Sequence, residues 1–404
     1  MILTARTMLT GDGKRVLKNQ ALRVQDGKIV ALGPLDSIRK GDEPVRDYGE
    51  ATILPGLIDM HLHLAAWWSE RDKHLYDDYL RGYFALDRAQ RALWSGATTV
   101  RDMNGPQNLC RQLVRAAKKG WITIPRVIFC NQAITVTGGH TYYAVGGTVE
   151  RDGPEEMRKE VRKQIRDGAD WIKLMASHED GLREFTQEEL NAAVDACHAL
   201  GKKVAVHVAA QPALQMCIDA GVDTIEHGNF LTRQQALTMK EKGIAWVPTI
   251  YVYKFALNWF QQIVDKGDPD SDLAFARHQV GRYQRFLSSY HNFLEIADTG
   301  VTILAGTDMV YETSKVEAAP VAKELACMVE LGFDPPRAIA TATSDAARVL
   351  GMQDSIGMLK EGLLADILVV EGDASKDIAC LERVVDVFLE GRQVQKPQSL
   401  PGTV

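Results

Sequence analysis

The feature that most constrains the fold is a regular alternation of short apolar segments with amphipathic segments along the centre of the 404-residue chain. The apolar segments have the composition of buried parallel strands, and the segments between them have the 3.6-residue periodicity of helices. Eight strands alternating with helices over about 250 residues predict an α/β fold, a (β/α)8 TIM barrel. The predicted strands are Ile53–His63, Thr98–Asp102, Arg126–Asn131, Trp171–Met175, Lys203–His207, Thr224–His227, Ala245–Thr249 and Thr302–Gly306.

The two ends of the chain have a different pattern. The segment ALRVQDGKIVALG alternates around Asp26-Gly27, which is a strong hairpin signal, and ADILVVEGD and RVVDVFLEGRQV near the other end also resemble strands that lead into turns. We expect the two termini to meet in a small β-sandwich domain. This predicts a β domain from residues 1–52 and 353–396, a barrel from residues 53–352, and a tail at residues 397–404.

Composition excludes several functional classes. Hydrophobic residues make up 46% of the chain and charged residues 25%, which is typical of a globular protein and not of a disordered one. The net charge of −6 disfavours a nucleic-acid partner. No apolar run reaches the roughly 18 residues of a membrane span, and the start MILTARTMLTGDGKR carries charge where a signal peptide is apolar. We therefore expect a cytoplasmic protein with neither a nucleic-acid nor a membrane partner.

Residues that can bind metals occur where the predicted strands end. The active site of a (β/α)8 barrel lies at the C-terminal ends of its strands, and His61 and His63 end the first one. Residues two apart in a strand point to the same face, so both imidazoles are expected to converge at the barrel mouth. A single histidine in such a place is more often structural, but a whole set at successive strand ends favours a metal site. The predicted ligands are His61, His63, Lys173, His207, His227 and Asp308.

Lys173 is the unusual member of this set, because it lies within the apolar strand sequence WIKLMAS. Burial disfavours the ammonium form and lowers the pKa of a lysine. A neutral amine can react with carbon dioxide to form a carbamate, an anionic group with two oxygens that is able to bridge two metals. The alternative is a structural lysine that is paired with a carboxylate.

Several motifs, in their order along the chain, resemble those of the amidohydrolase superfamily of metal-dependent hydrolases. They are PGLIDMHLH, TTVRD, IKLMAS, VAVHV, TIEHGN, AGTD and TSDAARVLGM with the later ADILVV, and they cover nearly the full length. Within the superfamily, TGGH at Thr137–His140, IEHGN, and VPT at Val247–Thr249 resemble the prolidase-like and imidazolonepropionase-like branch. That branch includes dipeptidases and carboxypeptidases, and some relatives hydrolyse other amides.

The resemblance implies a binuclear centre with two divalent metal ions, zinc being the first expectation, bridged by N6-carboxylated Lys173. It implies that His61, His63 and Asp308 bind the more buried metal and that His207 and His227 bind the more exposed one. Asp308 would also transfer the proton from the attacking water to the leaving amine. His140 would hydrogen-bond the substrate or the developing oxyanion.

The substrate is less constrained than the metal centre. Predicted substrate contacts are His140, Tyr253, Trp67, Trp68 and His178. Peptidase relatives often have Ser-Gly-Gly after the lysine of strand four, whereas this chain has a short charged run that includes His178–Asp180. This departure puts the substrate in doubt but not the metal chemistry.

The leading hypothesis is an enzyme similar to Xaa-Pro dipeptidases or carboxypeptidases that acts on N-acyl amino acids or dipeptides as a homo-oligomer. One alternative is hydrolysis of a cyclic amide, carbamate, urea or other non-peptide amide on the same scaffold. A deaminase is disfavoured because such enzymes usually have one metal and no bridging lysine. The last alternative is a non-catalytic scaffold protein, which retention of all six candidate ligands disfavours.

Overall fold

The structure of the chain is a computed structural model that describes residues 1–65, 78–144, 146–178, 182–267, 272–309 and 320–395. The strands are β1 (Ile2–Leu9), β2 (Val16–Gln25), β3 (Lys28–Gly33), β4 (Val45–Asp47), β5 (Thr52–Pro55), β6 (Leu57–Leu62), β7 (Ala97–Asp102), β8 (Arg126–Phe129), β9 (Ala133–Thr135), β10 (Thr148–Glu150), β11 (Trp171–Met175), β12 (Lys203–Val208), β13 (Thr224–His227), β14 (Ala245–Val247), β15 (Ile367–Val370), β16 (Val384–Leu389) and β17 (Arg392–Gln393).

Helices separate most of the central strands. They are α1 (Leu35–Ile38), α2 (Asp78–Trp94), α3 (Leu109–Lys118), α4 (Pro154–Arg166), α5 (Gln187–His198), α6 (Ala213–Ala220), α7 (Arg233–Lys242), α8 (Ile250–Lys266), α9 (Leu273–Ser288), α10 (Phe293–Ala297), α11 (Pro320–Glu330), α12 (Pro335–Thr341) and α13 (Ser344–Leu350), with short 3-10 segments at Ser289–Asn292 and Ile378–Glu382. No helix within the described ranges combines the length and the apolar character needed to cross a membrane.

The central strands form two parallel sheets. One has the order β6-β7-β8 and the other β10-β9-β11-β12-β13-β14. The segment after α10 bonds to an edge of each sheet, because Trp246 N donates to Thr302 O (2.8 Å) and Met60 N donates to Ala305 O (2.9 Å). Parallel strands that alternate with helices give a TIM-barrel-type α/β fold. Closure of all eight predicted strands into one barrel stays a prediction.

The strands from both ends of the chain lie in a third sheet, which is mixed. Its order is β17-β16-β15-β5-β1-β2-β3, with β4 also paired to β1. The antiparallel pairing of β5 with β15, in which Ile53 faces Val369, connects the two ends. Buried side chains of its own strands, such as Leu3 of β1 and Phe388 of β16, lie in one apolar cluster. The packing of this sheet as a sandwich and the domain limits proposed above stay predictions.

The first predicted barrel strand is divided in two. The apolar run from Ile53 to His63 is broken at Gly56, where β5 of the terminal sheet ends and β6 of the parallel sheet begins. Gly56 N donates to Asp366 O (2.9 Å), and a Cβ atom at position 56 would overlap the side chain of Thr98. The change of sheet therefore depends on a close approach that only glycine permits.

We predict that Gly56→Ala destabilises the fold by about 1–3 kcal/mol, the usual cost of forcing extra atoms into a packed core. The matched control is Gly82→Ala in the interior of α2, where an added Cβ meets no atom within 4 Å. This control should be neutral or stabilising by up to about 1 kcal/mol, since alanine favours helix. Urea unfolding measures both free energies, and equal midpoints for the two variants would contradict the prediction.

Candidate metal centre

The group best arranged to hold a metal is His61, His63 and Asp308, which each offer a ligand atom within 4.8 Å of the others. Asp308 Oδ1 lies 2.9 Å from Nε2 of His63 and 3.3 Å from Nε2 of His61. Ligands at the roughly 2.0–2.1 Å bond lengths of a tetrahedral zinc site have similar mutual separations. Burial would raise the pKa of Asp308, but the adjacent histidines lower it well below its usual value. The carboxylate is therefore ionised, as a ligand must be.

Hydrogen bonds from the backbone and to the side chain of Asp59 hold these three residues in place. Asp308 N donates to His61 O at 2.6 Å. The buried Asp59 carboxyl accepts hydrogen bonds from His61 N (3.1 Å), Thr307 N (3.1 Å) and Thr307 Oγ1 (2.7 Å). Burial raises the pKa of Asp59 to about 7, and these three hydrogen bonds oppose that rise. Asp59 thus ties the end of β6 to the segment that carries Asp308.

Three further histidine rings continue from this group in a row. The ring centroids of His61 and His227 are 5.3 Å apart, those of His227 and His207 are 4.5 Å apart, and those of His207 and His140 are stacked at 4.3 Å. Burial is the main cause that lowers the pKa of His227 and of His140 to about 3, and it lowers that of His207 well below its usual value. The rings are therefore neutral at pH 7, which is the form that metals require.

Lys173 lies fully buried in β11 beside these rings, and its charge contributes to the lowered pKa of His207 and of His227. Burial lowers the pKa of Lys173 to about 8, although the carboxylates of Glu226 and Asp308 oppose this change. Its Nζ atom has no hydrogen-bond partner within the described residues, and neither has Nε2 of His207. Buried polar atoms normally have hydrogen-bond partners. The lack of partners on these two nitrogen atoms therefore fits a site where a bound group would supply them.

The backbone is strained at three positions in this cluster. His227, Thr249 and Asp308 have φ angles of 67°, 52° and 49°, in the left-handed region that favours glycine. For the β-branched Thr249 this is an outlier. Its Oγ1 lies 2.7 Å from Nδ1 of His227, so the strained turn places a hydrogen-bond partner on that ring. Such strain clusters at functional sites.

The predicted substrate contacts differ in burial and in their distance from the row of histidine rings. His140 is buried, and its backbone N–H donates to Glu184 Oε1 at 2.7 Å. His178 is exposed, and its ring centroid lies 5.6 Å from that of His140. Tyr253 is buried with its ring 6.2 Å from that of His227, and its hydroxyl donates to Asn229 Oδ1 at 3.1 Å. Trp67 and Trp68 lie outside the described residues, as does most of the short run after His178.

Two buried charged residues beside the centre were not anticipated as parts of the site. Arg101 of β7 and Glu226 of β13 are both fully buried, and Glu226 contacts His61. The available signal was an arginine and a glutamate within two predicted barrel strands, since such charges are rarely buried unless they are paired.

The chain is similar to known proteins over most of its length. Ochratoxinase of Aspergillus niger is 28% identical over 441 aligned residues, which cover 98% of this chain and 87% of the relative. A crystal structure of a Xaa-Pro dipeptidase with methionine bound in its active site superposes with a TM-score of 0.86 at 27% identity, covering 98% and 99% of the two chains. Imidazolonepropionase of Symbiobacterium thermophilum is 24% identical, covering 88% of this chain and 84% of the relative.

These similarities agree with the expected branch and with a hydrolase that acts on carbon–nitrogen bonds. The sequence pattern of the amidohydrolase family matches residues 52–394, which is most of the chain. The chain belongs to the amidohydrolase family.

Proposed function

We propose that the protein is a binuclear metal-dependent amidohydrolase that cleaves an amide bond next to a free carboxylate, in the manner of a dipeptidase or carboxypeptidase of the Xaa-Pro type. The proposal is carried by the group of His61, His63 and the ionised Asp308, which a row of three neutral, buried histidine rings continues. The buried Nζ atom of Lys173 has no hydrogen-bond partner within the described residues. A non-catalytic scaffold would have no need to keep such donors buried together.

The donor set fits two divalent ions. His61, His63 and Asp308 would hold one ion, His207 and His227 the other, and a carboxylated Lys173 would lie between them. Histidine and carboxylate donors favour zinc as the first expectation. Two such ions, when bound, lower the pKa of a water molecule and polarise the amide carbonyl.

Asp308 is the group best placed to move a proton. Its side chain is 16% exposed, whereas those of His61 and His63 are 1% and 4% exposed, so it is the most accessible member of the group. We assign to it acceptance of the proton from the attacking water and delivery of that proton to the leaving amine.

His140 is assigned to the substrate. Its Nδ1 atom is buried without a hydrogen-bond partner within the described residues, and its neutral ring stacks on His207. It can therefore donate a hydrogen bond to a substrate carboxylate or to a developing oxyanion. Tyr253 would reach the substrate only by giving up its bond to Asn229, and His178 lies at the edge of the same region.

The substrate class has two candidates. The similar Xaa-Pro dipeptidase holds methionine, a free amino acid with a carboxylate, in its active site, which supports N-acyl amino acids or dipeptides. The similarity to ochratoxinase over 98% of the chain supports a different amide as the second candidate. In both cases the substrate is a small amide or peptide, and homo-oligomeric assembly and a cytoplasmic location stay expectations.

We predict that elemental analysis finds close to two divalent metals per chain and that Lys173→Ala loses metal and activity. Alanine supplies no bridging anion, so short carboxylic acids should partly restore both. The control is Lys203→Ala in the neighbouring strand β12. The Nζ atom of Lys203 donates to the backbone carbonyl of Val349, so this variant should not change the metal content. If Lys173→Ala keeps two metals and near-normal turnover, the lysine is structural.

Asp308→Asn keeps an oxygen ligand but removes the basic group. General acid–base catalysis contributes about 10²–10⁴-fold, and we expect kcat to fall by at least that factor while the protein stays folded. Steady-state kinetics on the metal-loaded variant measure the loss. Equal rates for variant and wild type would assign the proton transfer to another residue.

Masking the substrate carboxylate tests the peptidase assignment. For matched free-acid and amidated substrates, we predict that the amidated member is bound more weakly by about 1–3 kcal/mol, since it leaves a buried donor unpaired. This corresponds to a loss of about 5- to 150-fold in kcat/KM. His140→Ala should shrink the difference. Equal cleavage of both members by the wild type would overturn the peptidase assignment and favour the second candidate, a different amide.

A further inference from the structure

Glu226 and Arg101 form a hydrogen-bonded chain that ends on His61. Glu226 Oε2 lies 2.7 Å from Nδ1 of His61, and Glu226 Oε1 accepts a hydrogen bond from Arg101 Nη2 at 2.8 Å. Arg101 also donates from Nε to Met60 O (2.5 Å) and from Nη1 to Thr224 Oγ1 (3.1 Å). The side chains of His61, Glu226 and Arg101 are at most 1% exposed.

The charges along this chain fix the state of the imidazole. The always-charged guanidinium of Arg101 is fully buried and needs a counter-charge, and the carboxylate in contact with it is that of Glu226. An ionised carboxylate can only accept hydrogen bonds, so the proton of the 2.7 Å contact belongs to Nδ1 of His61. The lone pair of His61 is then on Nε2, the atom that faces Asp308 at 3.3 Å.

His63 provides a contrast within the same motif. Its Nε2 also faces Asp308, at 2.9 Å, but its Nδ1 has no hydrogen-bond partner within the described residues. The structure therefore fixes the tautomer and the ring orientation of His61 by a dedicated side chain, whereas the described residues provide no equivalent for His63.

We propose that Glu226 and Arg101 are positioning residues that hold His61 as the Nδ1–H tautomer and thereby set the affinity of the metal site built on His61, His63 and Asp308. This inference rests on the proposed binuclear centre. Partners that orient metal-binding histidines typically contribute about 10- to 100-fold in metal affinity.

The test is the affinity of metal-depleted protein for zinc ions, measured by competition with a coloured chelator. In Glu226→Gln, the NH2 group of the new amide must face either Arg101 or Nδ1 of His61. Both of these partners are donors, so one donor meets another. We expect one of the two zinc affinities, that of the site built on His61, His63 and Asp308, to fall about 10- to 100-fold. The double variant Arg101→Gln/Glu226→Gln removes both charges together, avoids an unpaired buried charge, and should show the same loss if the single variant does not fold.

The matched control is Asp366→Asn. Asp366 is also a buried carboxylate paired with an arginine, since its Oδ2 accepts from Arg126 Nη1 at 2.8 Å, but it contacts none of the proposed ligands. This variant should lose stability and keep the zinc affinity of the wild type. Unchanged affinity in folded Glu226→Gln, or an equal loss in Asp366→Asn, would overturn the positioning role and leave the metal centre standing. A wild-type protein that binds no zinc, manganese or iron would instead overturn the proposed function itself.

Discussion

The site depends on the bonds that join the end of β6 to the segment that carries Asp308. Asp59 and Thr307 are separated by 248 positions in the sequence, yet the buried carboxyl of Asp59 accepts both the backbone N–H and the hydroxyl of Thr307. The additional bond from Asp308 N to His61 O sets the carboxylate against the two imidazoles. These bonds therefore bring the His-x-His pair and Asp308 together at one point.

Burial then determines the chemistry of the site. It keeps the imidazoles of His207, His227 and His140 neutral, so their nitrogen lone pairs are available. It also lowers the pKa of Lys173 to about 8, which increases the fraction of neutral amine near pH 7. Burial would raise the pKa of Asp308, but the histidines around it lower that pKa, so its carboxylate is ionised. In a low dielectric environment, a buried polar group without a hydrogen-bond partner costs free energy of folding. A cluster of such groups is therefore expected where a bound group or a substrate supplies the missing partners.

The sequence predicted those parts of the molecule that depend on local pattern. The β/α alternation gave the TIM-barrel type, and residues at strand ends gave the candidate ligands, because spacing in a strand determines which side chains share a face. The break at Gly56 could not be predicted, since it depends on contact with Thr98 and the apolar run around it looks continuous. The partnership of Arg101 with Glu226 depends on which strands lie opposite each other, which no local pattern encodes.

The proposed mechanism requires two metals that share a carboxylated Lys173. X-ray diffraction from crystals of the zinc-loaded protein, collected on both sides of the zinc absorption edge, tests it most directly. The account predicts two anomalous peaks, one among His61, His63 and Asp308 and the other beside His207 and His227, with electron density for a carboxylate that extends from Nζ of Lys173 between them. A single peak, or a Lys173 side chain that ends at Nζ and pairs with a carboxylate, would contradict it.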